Sequence, residues 1–255
     1  MAHVRLGDVV LGEGRTKVIV PLTGRTGDEV AEQAEALSDH DLDIVEWRAD
    51  HLIGGTDPRV VVAVGRRLDA LMEGRPILFT FRTPAEGGQQ SIGPADYLAV
   101  NAAVMAAGLV EAVDVEAAFD AAAADGVIAA ACGHAIPVVG SWHDFAATPP
   151  AELLVERLAG MQQRGCSVVK AAVMPTSPAD VLELLRATVM MSTQHPDTPV
   201  ITVSMAGLGL ISRMAAQLVG SCATFAMVGR ASAPGQLPVD QLQPILSLVD
   251  ANLDV

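Results

Sequence analysis

The chain has 255 residues, a mass of 26.4 kDa, 51% apolar residues and a formal net charge of −14. So high an apolar content excludes a disordered chain and a minimal stapled scaffold. The length allows one or two domains, although an α/β barrel often fills about 250 residues as one unit; with no linker or second domain visible, residues 1–255 are read as a single domain. So acidic a chain repels phosphate backbones and anionic membranes. No nucleic-acid or membrane partner is therefore expected, and a small anionic substrate would need its own cluster of arginines.

The chain opens with a hairpin-like segment, VRLGDVVLGEG. Its first ten residues, MAHVRLGDVV, lack the apolar core of a signal peptide. The longest uncharged stretch, residues 126–143, is broken by Gly133, His134, Pro137 and Gly140, so no membrane span is predicted. Eight strand-type runs follow the hairpin, starting at Val18, Asp43, Pro76, Leu109, Pro137, Val168, Pro199 and Ala223. Their starts lie 24 to 33 residues apart, room for a strand, a helix and two loops.

Helical stripes lie between them: Val30, Ala34 and Leu37; Leu154, Leu158 and Met161; Val181, Leu184, Leu185 and Val189. Asp57-Pro58, Thr148-Pro149 and Ser177-Pro178 each place a capping side chain before a proline suited to the first helical position. Near-continuous apolar strands joined by helices imply a parallel sheet covered on both faces, and eight such units favour a closed (β/α)8 barrel. Neither GxGxxG after the first strand nor GxxxxGK[ST] is present, which argues against a nucleotide site. Cys132, Cys166 and Cys222 lack CxxC spacing and read as buried free thiols of a cytoplasmic protein.

A barrel keeps its chemistry at the C-terminal ends of its strands. The second strand ends in Glu46, Arg48 and Asp50, which alternation puts on one face, and the third in Arg82, followed by Glu86-Gly87-Gly88. The fourth carries Asp114 and Glu116, read as supporting or structural residues. The fifth ends in His143, suited to proton transfer near neutral pH. The sixth contains Lys170, one of only two lysines beside 14 arginines. A lysine inside an apolar strand is a candidate imine-forming nucleophile; the structural alternative is an ion pair with Glu46 or Asp114. The seventh strand leads through Ser204 and Met205 to Arg213, a candidate carboxylate clamp, and the eighth into a loop, residues 229–236, suited to close over a ligand.

Six of these segments together resemble the type I 3-dehydroquinate dehydratase family from about residue 17 onward. They are Glu46-Trp47-Arg48, FTFRTxxEGG from Phe79, SxHDF from Ser141, the single Lys170, SMAxxGxxSR from Ser204, and SAPGQ from Ser232. The resemblance implies a lyase of the shikimate pathway that removes water from 3-dehydroquinate through a lysine imine. It implies Lys170 as imine former, His143 as proton shuttle and Glu86 as its acidic partner. Glu46, Arg48, Arg82, Met205, Arg213, Ser232 and Gln236 correspond to substrate-binding positions. It further implies a homodimer with no cofactor and no metal. Pro21 and Gly207 depart from the pattern, replacing polar residues found in relatives.

Two other readings share parts of the pattern. An imine-forming aldolase would use the same lysine, usually on phosphorylated substrates. A non-catalytic ligand-binding barrel would not need an intact Lys170–His143 pair.

Overall fold

All eight apolar runs form strands in the computed structural model, which describes residues 3–253. β1 (Val4–Leu6) and β2 (Val9–Leu11) make an antiparallel hairpin. β3 (Lys17–Leu22), β4 (Ile44–Arg48), β5 (Ile77–Thr80), β6 (Ala112–Glu116), β7 (Val138–Asp144), β8 (Val168–Val173), β9 (Val200–Ser204) and β10 (Ala223–Met227) pair in parallel in sequence order, with β10 returning to β3. The seam between β9 and β10 closes through a bridge between Val200 and Ser221 and a 2.9 Å hydrogen bond from the Cys222 amide to the Val200 carbonyl. A short β11 (Leu237–Pro238) pairs with the end of β10.

The helices α1 (Gly27–Glu35), α2 (Pro58–Met72), α3 (Pro94–Ala106), α4 (Ala121–Gly133), α5 (Ala151–Gln163) and α6 (Pro178–Gln194) alternate with the strands. Short α7 (Leu210–Met214) and α8 (Ala216–Val219) and the long α9 (Val239–Leu253) complete the set. Outward strand residues such as Trp47, Phe79, Val113 and Val169 pack against Leu68, Leu154, Leu158 and Leu184 of the helices, which explains why the strands read as unbroken apolar runs. Asp57 and Ser177 cap α2 and α6 with proline following, as predicted, and Ser177 with Asp180 forms a reciprocal capping box.

Three expectations need correction. Thr148 caps no helix: its hydroxyl donates to the Met174 carbonyl at 2.9 Å, and α5 begins only after Pro150. Pro149 precedes another proline, and a residue before proline is pushed out of the helical region. Val189 is exposed rather than part of the buried stripe of α6, and Cys132 is exposed on the last turn of α4; Cys166 and Cys222 are buried as expected.

Inside the barrel the side chains change character along the axis. Ile19, Ile44, Leu78, Ala112, Val139, Val168, Ile201 and Ala223 fill its lower half, and the hairpin adds Leu6 and Leu11 to the same cluster. Two residues further along each strand, at the same inward parity, stand Glu46, Thr80, Asp114, Ser141 and Lys170; two further again come Arg48, Arg82, Glu116 and His143. The apolar layers thus form a dry floor on which charged side chains converge.

Candidate active site

The ten expected site residues line one pocket of about 540 Å³ at the C-terminal mouth: Glu46, Arg48, Arg82, Glu86, His143, Lys170, Met205, Arg213, Ser232 and Gln236. Ala172, Val203 and Phe225 give it an apolar flank. The pocket is thus charged on one side and apolar on the other.

Lys170 rises from the middle of β8, its Nζ 3.5 Å from Asp114 Oδ2, 3.7 Å from Glu46 Oε1 and 4.4 Å from the centre of the Phe225 ring. Both carboxylates named as possible partners are therefore present, and the amine still faces the pocket. Asp114 is fully enclosed. Burial alone would raise its pKa, but Arg82, Lys170 and the Ser141 hydroxyl more than reverse this and hold it below the usual carboxylate value. Glu46 accepts from the Thr80 hydroxyl at 3.0 Å.

His143 stands one inward step beyond Ser141 on β7. Its Nδ1 lies 2.8 Å from Glu86 Oε2, which orients the ring. Burial, reinforced by the positive charges of Arg82, Lys170 and Arg48, holds the imidazole pKa well below its ordinary value, so the ring is neutral at pH 7. Burial also pushes Glu86 up to about 8 against the opposing pull of Arg82, and Glu86 Oε1 is buried without a partner. Gly87 and Gly88 make this placement possible. Gly87 adopts a φ of 86°, and a Cβ on Gly88 would overlap the Arg82 carbonyl, so only glycines let the chain fold back and set Glu86 beside β7.

Arg82 holds this arrangement together. Its guanidinium reaches Asp114 at 2.7 Å, Ser141 at 2.9 Å, Glu116 at 3.1 Å and Glu86 at 3.4 Å. Burial by itself would lower its pKa, and Asp114, Glu116 and Glu86 together raise it instead, so it stays charged. Asp114 and Glu116, read from the sequence as supporting residues, are the carboxylates that make this buried cation tenable. Arg48 is held in bidentate fashion by Asp50, at 2.7 and 2.8 Å, and Asp50 also accepts the backbone N–H groups of Arg82 and Gln89. Sequence reasoning did not single out Thr80, Ser141 or Phe225. The inward parity of the first two was a usable signal, whereas nothing in the sequence marked Phe225 as the ring beneath the lysine.

Arg213 differs from the other site arginines. It is fully enclosed and donates to two carbonyls, Phe225 at 3.1 Å and Pro234 at 3.2 Å, while Nε has no partner. Among the described residues no carboxylate pairs with it. Burial pushes its pKa down to about 10. A buried cation with free donor capacity, aimed into a pocket, is a site built for an anion. The loop over it is held by Ser232 and Gln236: the Ser232 amide donates to Gln236 Oε1 at 2.8 Å, and Gln236 Nε2 donates to the Ser232 hydroxyl at 3.0 Å. Gly235, with a φ of 77°, lies so close to Ala206 that a Cβ would collide with it. Pro21 lies buried beside Glu46 in the β3–β4 register, and Gly207 is exposed with open space around it.

This arrangement offers an amine for imine formation, a neutral imidazole held by Glu86 for moving a proton, and an unpaired guanidinium for an anion. Among the described residues no three His, Cys, Asp or Glu side chains are grouped to hold a metal.

Known proteins similar to this chain over its whole length are readily found. The 3-dehydroquinate dehydratase of Bacillus licheniformis is 42% identical over 250 residues, covering 98% of each chain. That of Salmonella choleraesuis is 41% identical over 249 residues, covering 98% of this chain and 99% of the relative. Among solved structures, the type I 3-dehydroquinate dehydratase of Clostridium difficile, determined with covalently modified comenic acid, superposes with a TM-score of 0.96 at 37% identity. The match covers 99% of this chain and all of that one. The 3-dehydroquinate dehydratase of Geobacillus kaustophilus gives a TM-score of 0.94 at 32% identity, over 98% and 97% of the two chains. The model of the type I 3-dehydroquinase family matches residues 18–252, and with this coverage the chain belongs to that family.

Proposed function

We propose that this chain, a single (β/α)8 domain over residues 1–255, dehydrates 3-dehydroquinate to 3-dehydroshikimate, a step of the shikimate pathway, through an imine on Lys170. The observation that carries the reading is the convergence of Lys170, the His143–Glu86 pair and the unpaired Arg213 on one pocket. Arg213 receives the substrate carboxylate, with Ser232 and Gln236 beside it. Lys170 Nζ attacks the ring ketone, and the carbinolamine loses water to give a cationic imine.

That cation is the electron sink for the next step. His143 takes the proton from the adjacent carbon, the electron pair moves toward the imine nitrogen, and an enamine forms. The imidazolium, held in place by its hydrogen bond with Glu86, then protonates the departing hydroxyl. The new double bond stays conjugated with the imine, and hydrolysis frees the enone product and Lys170. Glu46 and Arg48 face the ring hydroxyls. Arg82 fixes Glu86 and Asp114, the acidic side chains in contact with the two reacting ones. No step calls for a cofactor or a metal.

Carboxylate recognition also separates this reading from an aldolase that acts on phosphorylated substrates. An assay of the ultraviolet absorbance of the conjugated enone carboxylate tests it: absorbance rises when 3-dehydroquinate is added, and no rise overturns the reading. The cytoplasm and a homodimer complete the proposal. Free cysteines support the first. Exposed Leu182, Leu218 and Leu248, on the neighbouring helices α6, α8 and α9, support the second. Sedimentation equilibrium giving a monomer mass at micromolar protein would refute the dimer.

A further inference from the structure

Beside the catalytic pocket lies a second, larger and more polar cavity of about 1410 Å³, which shares Ser232 with it. It opens between the loop after β3, the segment after β4 and the loop after β10, and its lining includes Arg25, His51, Gln89, Gln90 and Arg230. Half of the 14 arginines are spent on carboxylates: Arg15, Arg48, Arg59, Arg67, Arg82, Arg164 and Arg186 are all in ion pairs. Arg25 and Arg230 are exposed and form no ion pair among the described residues.

The acidic groups lining the same cavity are already engaged. Asp50 is bound by Arg48, and Glu29 accepts the Arg25 backbone N–H at 2.7 Å. Burial lowers the His51 pKa against the opposing pull of Asp50, with Arg48 and, to a smaller extent, Arg230 lowering it further. Two free guanidinium groups thus stand over a polar cavity at the mouth of a protein with a net charge of −14. Elsewhere that charge repels an anionic substrate, and a local positive patch in a cleft reverses the field where it matters.

We propose that this cavity is an anion-capturing vestibule in which Arg25 and Arg230 hold a carboxylate-bearing substrate before it passes to Arg213. Arg230 lies two residues before Ser232, on the loop that covers the catalytic pocket, so capture in the vestibule and closure of that loop involve the same segment. The inference rests on the proposed function for the charge of the substrate, and on this cavity alone for its location.

The test uses Arg25→Gln, Arg230→Gln and the double variant, with Arg66→Gln as control; Arg66 is exposed on α2 and lines neither cavity. In low salt the double variant should raise KM about 3- to 10-fold with little change in turnover at saturation. Its kcat/KM should also fall less steeply than wild type between about 0.01 M and about 0.15 M salt, as the screening length shortens from about 30 Å to about 8 Å. Wild-type KM and salt slope in the double variant, or an equal change in the control, would overturn the vestibule while leaving the proposed function standing. Wild-type protein that does not turn over 3-dehydroquinate would overturn the proposed function. The vestibule is then decided by titrating inorganic phosphate and following the His51 ring by NMR. A saturable shift lost in the double variant supports it, and no shift in wild type refutes it.

Discussion

Replacing Arg213 by methionine separates a binding role from a structural one. In the free protein the guanidinium is enclosed with no countercharge, and burial lowers its pKa from the ordinary 12.5 to about 10. At about 1.4 kcal/mol per tenfold change in proton affinity, keeping it charged there costs roughly 3 kcal/mol. Its hydrogen bonds to the Phe225 and Pro234 carbonyls, made by a charged donor, return about 1.5 kcal/mol each. Methionine fills a similar length with an unbranched apolar chain, so the two effects nearly cancel and Arg213→Met should change stability by less than about 1 kcal/mol.

Binding should change far more. Truncating one partner of a buried charge pair costs about 2–5 kcal/mol, so KM should rise at least about 30-fold. The assays are thermal unfolding and steady-state kinetics on the same preparation. A loss of several degrees in Tm together with an unchanged KM would refute the reasoning and make Arg213 a structural residue. The carboxylate would then belong to Arg48 or Arg82.

His143→Ala should still accept substrate and accumulate a borohydride-trappable imine, while turnover falls about 10²–10⁴-fold; wild-type turnover would remove His143 from the mechanism. Because burial and the nearby cations hold the His143 pKa below 6.5, the acidic limb of kcat/KM against pH should lie below 6.5, and a limb above it would contradict the neutral imidazole. Glu86 is raised in the folded state to about 8, so its contribution to stability is complete below its unfolded value near 4.5 and is lost as pH rises through about 8. Glu86→Gln, which mimics the protonated form, should therefore gain Tm relative to wild type across that window, and a difference independent of pH would sink the argument. The Ser232–Gln236 loop is expected to exchange amide hydrogens more slowly with trapped ligand; equal exchange, or full activity of a Ser232→Ala/Gln236→Ala variant, would exclude it as a lid.

Much of this was legible because of how a barrel is built. Strands covered on both faces read as apolar runs, and a charged residue interrupting such a run must point inward, as Lys170 does. The motif glycines were legible for a related reason, since Gly88 stands where any side chain would strike the Arg82 carbonyl. What stayed hidden depended on partners distant in sequence. Nothing near Arg82 says that Asp114 and Glu116, more than 30 residues away, hold it, or that Arg213 is the site arginine left unpaired. Local rules also failed where a side chain was drawn elsewhere: Thr148 looks like a cap, but its hydroxyl is bound to the chain after β8. Val189 fits an apolar stripe by spacing, yet it lies on the exposed side of α6.

The central claim is a covalent bond between substrate and Lys170, and mass mapping after borohydride reduction measures it most directly. Protein incubated with 3-dehydroquinate and borohydride should carry one adduct, on the peptide containing Lys170. Lys170→Ala should carry none, and Lys170→Arg should not restore it, because a guanidinium stays protonated and is no nucleophile. An adduct on Lys17, the other lysine of the chain, or no adduct in a protein that still turns over substrate, would contradict the account.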